Sequence, residues 1–465
     1  MQIGAFRHKP ARVTKSPPCE SIAHMAVRAA LPAFLFTFCS QLAAGQDVLT
    51  LDRAVRDALE HSRALSAARA GADEASARED DARSRFFPRV SVTESWQRGD
   101  QPVFVFSSLL AARQFAAPNF AIDALNHPGP TGFFHGAFGL EQLLFDGGRI
   151  RAGVDAARSG RVSANAAVEE VSAVLALNVT RTYGQLLRVE SGRRAVDSAL
   201  EAAREDVARA ERRRDAGTVT EADVLSLAVH VADLRQRTIQ ADGDAAILRA
   251  QLNRLMGAPV NGRFSVQEPA IVGAEASKNL EALLAEAESA RPELKRTASA
   301  VSLAEAGRHQ ARAAWMPQVA AQAGYQLDGT ALTTRASSWI VGGEVRWSLS
   351  TGGAEAAGAR AAAAALARAR AEDADARAAV QVDVLTALRH LESAQARQAV
   401  AAATVDQARE SQRIIRNRYN AGLAAVNDVL RATAAAIDAD AQRTATLVDR
   451  LEAAAALVRA LGRTP

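Results

Sequence analysis

Proline is absent from two long intervals of this 465-residue chain, between Pro130 and Pro259 and again between Pro317 and Pro465. Because proline breaks helices, its absence lets each interval carry an uninterrupted one. Arg151 to Asp215 reads as a single helix of about 65 residues, about 100 Å long, where an ordinary globular helix has about three turns. Such helices need neighbours along their whole length, and the sequence supplies the seams. Val196, Leu200, Ala203, Val207 and Ala210 keep a 4-3-4-3 rhythm, as do Leu447, Leu451, Ala454, Val458 and Leu461. The chain is 48% hydrophobic but only 5% aromatic. Much of that apolar content is alanine, the best helix former and a thin one, which favours long packed helices over a bulky core. Taken alone, these stripes describe a plain coiled coil.

The helices belong to a unit that is written twice. Leu51, Ala54, Ala58 and Leu65 match Leu280, Leu283, Ala287 and Leu294, and Phe86-Phe87-Pro88 matches Trp315-Met316-Pro317, all at an offset of 229. Farther along, Gly147-Gly148 matches Gly352-Gly353, and Asp215-Ala216-Gly217 with Asp223-Val224-Leu225 matches Asn420-Ala421-Gly422 with Asp428-Val429-Leu430, at an offset of 205. The difference of 24 residues lies between Pro88 and Gly147 and predicts a surface loop, near Gln101 to Pro130, that only the first copy has. Residues 46–275 and 276–465 are therefore read as two repeats. Each runs helix, two strands, long helix, turn, helix.

The strands separate this chain from a coiled coil. After Pro317, Val319, Ala321, Ala323, Tyr325 and Leu327 alternate with Gln318, Gln322, Gln326 and Asp328. After Ser338, Trp339, Val341, Gly343, Val345, Trp347 and Leu349 alternate with polar or small residues, Ile340 excepted. The first copy repeats the pattern with Phe134, Gly136, Phe138 and Leu140, while the strand after Pro88 is weaker because Glu94 interrupts its apolar face. Strands of about ten residues, apolar on one side and charged on the other, suit a membrane barrel with a wet lumen. Trp339 and Trp347, eight residues apart, span about 26 Å of strand and are expected near opposite lipid interfaces, with Tyr325 and Phe138 completing an aromatic girdle. Four strands cannot close a transmembrane barrel, whose known minimum is about eight, so the chain must oligomerise.

The first 45 residues read as a secretory signal: Arg28, the apolar run Ala29 to Phe38, and the small-residue exit Ala43-Ala44-Gly45 before Gln46. Met25 offers a second start, so residues 1 to 24 either belong to the leader or precede the true start. The leader also holds five basic residues against Glu20. Removing these from the totals of 56 and 52 leaves 51 of each sign, so the remainder is neutral and offers no phosphate-binding surface. Cys19 and Cys39 both lie in the leader, which leaves the expected mature chain without thiol chemistry. Lipidation of Cys39 is not expected, because Phe36-Thr37-Phe38 is bulky where lipoprotein signals want small residues. Past the leader, no segment reaches about 18 uninterrupted apolar residues.

In this order, and doubled, the motifs resemble the TolC family of outer-membrane factors. The resemblance rests on Leu49-Thr50-Leu51 with Ala54, Phe86-Phe87-Pro88 and Trp315-Met316-Pro317, Leu144 to Arg149, and Arg418 to Leu423 followed by Asp428-Val429-Leu430. It covers the chain from Leu49 onward. It implies a mixed α and β fold: a homotrimer whose chains each give four strands to a twelve-stranded outer-membrane β-barrel, continuous with a long periplasmic α-helical barrel. The implied function is an exit duct for a tripartite efflux pump or type I secretion system, served by a periplasmic adaptor and an inner-membrane transporter of RND, ABC or MFS type. Gly217 and Gly422 would mark the periplasmic tips, and Thr218, Val219, Leu423 and Ala424 would dock the adaptor. Asp223, Tyr419 and Asp428 match a network that holds the duct closed. Thr220 with Asp223 also reads as a capping box, which gives Asp223 a purely structural alternative. Arg431 and Ala424 depart from the family pattern where some relatives place an acid and an arginine, so an acidic cation-binding ring is not expected.

An enzyme finds no support. His61, His127, His135, His230, His309 and His390 are scattered, and no metalloprotease helix motif, phosphate loop or nucleophile elbow occurs. No catalytic residue, cofactor, metal or nucleic-acid partner is expected. The rival is a non-channel periplasmic adaptor or surface coiled-coil protein, but an adaptor would show one helical hairpin between lipoyl-like strands. Cargo stays open among drugs, metals and proteins, although Met256 and Met316 alone after the leader give no methionine pathway for copper.

Overall fold

The computed structural model describes residues 48–269 and 279–465. The leader with Cys19, Met25 and Cys39, and the boundary between 275 and 276, lie outside the described residues. The first half comprises β1 (Val48–Leu49), α1 (Leu51–His61), α2 (Arg63–Ser84), β2 (Arg89–Gly99), α3 (Pro102–Ala111), α4 (Ile122–Asn126), β3 (Thr131–Phe145), α5 (Arg149–Asp215) and α6 (Glu221–Leu255). After β4 (Ser265–Val266) come α7 (Leu280–Ala290), α8 (Pro292–Ala313), β5 (Gln318–Ala331), β6 (Thr334–Arg346), α9 (Ala354–Asn420) and α10 (Val426–Ala460). Helix lengths agree across the halves: 11 residues in α1 and α7, 22 in α2 and α8, 67 in α5 and α9, and 35 in α6 and α10.

The two 67-residue helices carry the architecture, each about 100 Å long. Toward the strands α5 packs on α2 and α8, and α8 on α9; away from them α5 packs on α6 and α10, and α10 on α9. The helices thus form a layer in the order α6, α5, α10, α9, with α6 and α9 at its edges. The seam at Val196, Leu200 and Ala203 is buried and meets Val231 and Leu234 of α6 and Ile437 of α10, while Ala210, also buried, packs with Val224 and Leu227 of α6. By composition α5 is apolar enough to cross a bilayer, yet Leu175, Val179, Tyr183, Leu186 and Leu187 belong to the largest core cluster.

That cluster gathers α1, α5, α6 and α10 around the parallel pair β1–β4. Its centre is Tyr183, fully buried, whose hydroxyl lies 2.9 Å from the Leu49 carbonyl and 2.8 Å from that of Gln267, and accepts the Gln267 N–H at 3.2 Å. Burial pushes this phenol up to about 12. Close by, Gly184 lets α10 approach α5: a Cβ there would stand 2.6 Å from a methyl of Val448. A second cluster joins α7, α8, α9 and α10 through Leu283, Leu294, Val384, Leu388 and Leu457. Buried charge is paired across helices. Glu79 of α2 accepts from Arg161 of α5 and from Arg83, at 2.5 Å each, and these guanidinium partners, Arg161 foremost, hold its carboxyl below the usual range.

The strands form one antiparallel sheet in the order β2-β3-β5-β6. They run 11, 15, 14 and 13 residues. Two expectations need correction. The insert of the first copy is not a bare loop. Pro102 starts α3, a short apolar helix, and a 3-10 turn (Ala117–Phe120) and α4 follow. Trp347 is not part of the last strand, because β6 ends at Arg346; its indole instead donates to the Trp315 carbonyl at 3.3 Å.

Candidate functional site

The two regions singled out by sequence lie at opposite ends of the long helices. At the strand end, direct cross-strand partners share a face. The register sets Val92 opposite Phe138, Phe138 opposite Tyr325, and Tyr325 opposite Trp339, so one row of large apolar side chains crosses all four strands. Val90, Leu140, Val319, Val341 and Val345 lie on the same face; Ser95, His135, Gln326 and Ser338 lie on the other. Trp339 stands near mid-strand in this row, while Trp347 stands just past the helix-side end of β6. Both are exposed, as are Phe138 and Tyr325.

Glu94 does sit on the apolar face, and its partner is there too. Arg335 of β6 reaches it with two hydrogen bonds, 2.8 and 2.9 Å. The pair passes over Gly136, where a Cβ would lie 2.8 Å from the Glu94 carboxylate, and the Phe134 ring backs the guanidinium at 5.7 Å. A bidentate pair presents no net charge to an apolar surrounding. The strand that looked weak in sequence is completed by a residue 241 positions away.

At the far end the turns after α5 and α9 are built alike. Gly217 and Gly422 have φ of +71° and +75°, and a Cβ at either would meet nothing within 4 Å, so backbone conformation alone calls for glycine there. Gly217 and Thr218 N–H groups return to the Arg214 and Arg213 carbonyls, and Gly422 and Leu423 to those of Tyr419 and Arg418. Each helix thereby closes with the paired bonds of a Schellman motif. Val219 and Ala424 are half-buried, whereas Thr218 and Leu423 are exposed.

The carboxylates expected at the gate cap helices within this chain. Asp223 Oδ2 accepts from the Thr220 N–H and hydroxyl at 3.3 and 2.8 Å, and the Thr220 hydroxyl accepts from the Asp223 N–H. Asp428 accepts from the Ala425 N–H at 3.3 Å; alanine replaces the threonine, so the second cap keeps only its acidic half. Tyr419 packs with Val207 and Leu430 around Ala210, Val224, Leu227 and Val426. Burial pushes its phenol up, and the hydroxyl is buried without a hydrogen-bond partner among the described residues. Arg431 is exposed near the start of α10.

Sequence reasoning missed the clasp that joins the two turns. Arg213 stands over the Tyr419 ring at 5.8 Å and donates to the Asn420 carbonyl at 2.6 Å. Arg209 donates to the Asn420 side chain at 3.1 Å, and the buried Asp206 accepts from Arg416 at 2.9 Å. The run Arg212-Arg213-Arg214 in the last turn of α5 was the available signal. Its length alone does not say which arginine turns inward.

Comparisons with known proteins agree with this arrangement. No curated protein sequence matches the chain. Among solved structures, VceC from Vibrio cholerae is 20% identical, with 89% of this chain and 96% of that one covered and a TM-score of 0.73. The Campylobacter jejuni outer membrane channel CmeC is 17% identical, with coverage of 89% and 85% and a TM-score of 0.76. The open state of the Neisseria gonorrhoeae channel MtrE is 17% identical, with 89% of each chain covered and a TM-score of 0.69. At these identities the likeness shows the fold alone. The family itself comes from the sequence profile of the outer membrane efflux proteins, which matches residues 54–258 and 283–463. With the sheet at one end of the long helices and the paired turns at the other, the chain belongs to the outer membrane efflux protein family, channels of the outer membrane with a helical portion in the periplasm.

Proposed function

We propose that three copies close into a ring, with a twelve-stranded barrel in the membrane and a helical tube below it, forming the exit duct of a tripartite efflux pump or type I secretion system. One observation carries this reading: both layers end in unsatisfied edges on the same two sides. In the sheet β2 and β6 each lack a second neighbour, and bare strand edges demand pairing. In the helical layer α6 exposes Leu225, Val229, Ile239 and Ile247, and α9 exposes Val382, Leu385, Val400 and Ile414. Two unlike edges that fit each other make a head-to-tail contact, which closes into a ring. The apolar face then meets lipid, with Phe138, Tyr325, Trp339 and Trp347 as its aromatic surface, and the face bearing Gln326 and His135 lines water.

The same reading makes each half, 46–275 and 276–465, one strand-and-helix unit of a doubled chain. The turns at Gly217 to Val219 and Gly422 to Ala424 become the periplasmic tips that meet an adaptor bound to an RND, ABC or MFS transporter. Tyr419, Asp223 and Asp428, with Arg431 beside them, form the closed aperture between copies. Native mass spectrometry of the protein extracted from outer membranes tests the ring. Three copies per particle are expected; a monomer or dimer ends this reading.

A further inference from the structure

The insert found only in the first half does not stand away from the sheet. Val105, Ser108 and Ala112, the last just past the end of α3, form the buried side of that segment. Phe104 meets Phe133 edge-on at 6.4 Å, and Phe133 projects from the polar face of β3, the face of His135 and Ser95. Beyond the helix, Arg113, held at φ 55°, donates to the Ser337 carbonyl of β6 at 3.0 Å, and Gln114 accepts from Thr330 of β5 at 2.9 Å. The segment therefore crosses the polar face from β3 to β6. Between helix and sheet it encloses a space lined by Gln97, Ser108, His135, Gln326 and Asp328, where His135 and Asp328 are paired at 2.7 Å.

The opposite side of α3 has nothing over it in one chain. Val103, Phe106 and Leu110 are 74%, 39% and 57% exposed; spaced by three and four, they make one apolar stripe. Phe106 is buttressed by Phe115 at 4.7 Å and Phe115 by Phe120 at 4.9 Å, so the stripe is held from behind. An apolar stripe turned into a water-filled bore is costly unless something covers it.

We infer that the stripe Val103, Phe106 and Leu110 is covered by the same stripe of the other two copies, so that three α3 helices form an apolar plug in the outer mouth of the channel. This rests on the three-copy ring proposed above. Twelve strands about 4.8 Å apart and tilted by about 40° make a ring about 75 Å round, with its wall about 12 Å from the axis. A helix about 10 Å across lying on the inner wall reaches the axis, and three of them fill the bore. The plug sits at the outer end of the strands, far from the tips, so it is a second closure independent of Tyr419 and Asp223.

The test places Leu110→Cys and, separately, Val103→Cys in the full chain in outer membranes, and treats each with a short bis-maleimide. Both residues are exposed in the single chain, and both of the chain's own cysteines precede residue 46, so the parent serves as the blank. Expected for both variants is a shift on denaturing gels from one-chain to two-chain mass, absent in the parent. If native mass spectrometry shows three copies but both variants stay at one-chain mass while reacting with a monofunctional maleimide, the plug is refuted and the ring stands. If no trimer forms, the ring fails and takes the plug with it.

Discussion

Replacing Gly184 with alanine tests how closely α5 and α10 approach, and two principles give the outcome opposite signs. In a helix interior alanine outranks glycine by about 1 kcal/mol, so helix propensity alone makes the change stabilising. The structure sets the new methyl carbon 2.6 Å from Val448 Cγ1, about 1 Å inside ordinary contact. Val448 is fully buried and branched at Cβ, so it cannot rotate away. Overpacking of this kind costs about 1 to 3 kcal/mol. The clash outweighs propensity, and Gly184→Ala is expected to destabilise the helical layer by about 1 kcal/mol. Val448→Ala alone costs about 2 kcal/mol for the two methyls removed from the core. With both changes together the clash is gone and propensity remains, so Gly184→Ala becomes stabilising by about 1 kcal/mol in the Val448→Ala background. The pair is therefore coupled by about 2 kcal/mol. Far-ultraviolet circular dichroism of the detergent-extracted protein, melted at one heating rate, reads this as shifts of about 1 °C per kcal/mol for a chain of this length. A Gly184→Ala variant that melts higher in both backgrounds refutes the close approach.

Tyr183→Phe keeps the ring but orphans the Leu49 and Gln267 backbone groups, so it is expected to cost about 1 to 3 kcal/mol, read as a lower melting temperature. Because the folded phenol titrates near 12 rather than 10, its contribution is complete below pH 10 and is lost between pH 10 and 12. The loss amounts to at most about 3 kcal/mol, and an equal alkaline loss in Tyr183→Phe refutes that assignment. In the sheet, Val341→Arg near mid-strand is expected to cost membrane insertion about 2 to 4 kcal/mol, and Val345→Arg, one residue from the strand end, about 0 to 1. Arg346→Ala on the polar face should be mild, and equal insertion yields for all three refute the face assignment. At the tip, Tyr419→Phe with Asp223→Ala is expected to raise conductance in planar bilayers, since each hydrogen bond to a charged group is worth about 1.5 to 3 kcal/mol; unchanged conductance leaves Asp223 a helix cap. Gly217→Trp and Gly422→Trp, which strain a left-handed turn by about 1 to 2 kcal/mol, are expected to keep yield and membrane location while abolishing export and adaptor crosslinking. Normal export in both places the docking surface elsewhere.

What the sequence determined by itself was everything set by local repetition. Freedom from proline and a repeating apolar seam specify long helices, and α5 begins within two residues of the expected Arg151. Gly217 and Gly422 mark turns because few other residues accept a left-handed backbone, and period-two alternation marks the strands. What only the tertiary structure decided were contacts between residues far apart in the chain. Glu94 reads as a flaw until Arg335, 241 positions away, is laid across Gly136. Arg416 and Asp206, 210 positions apart, meet only once α5 and α9 have both packed against α10. Trp347 fits the alternation of β6 yet falls outside it, because hydrogen bonding to β5 stops at Arg346. The insert reads as loop because the mostly apolar run of α3 carries no strong period; that the segment lies over the polar face is settled by Phe133, which meets α3, and by Thr330 and Ser337, which meet Gln114 and Arg113 just past it. Local patterns encode the element and the face it offers. The partner for that face is chosen by the packing of the whole chain.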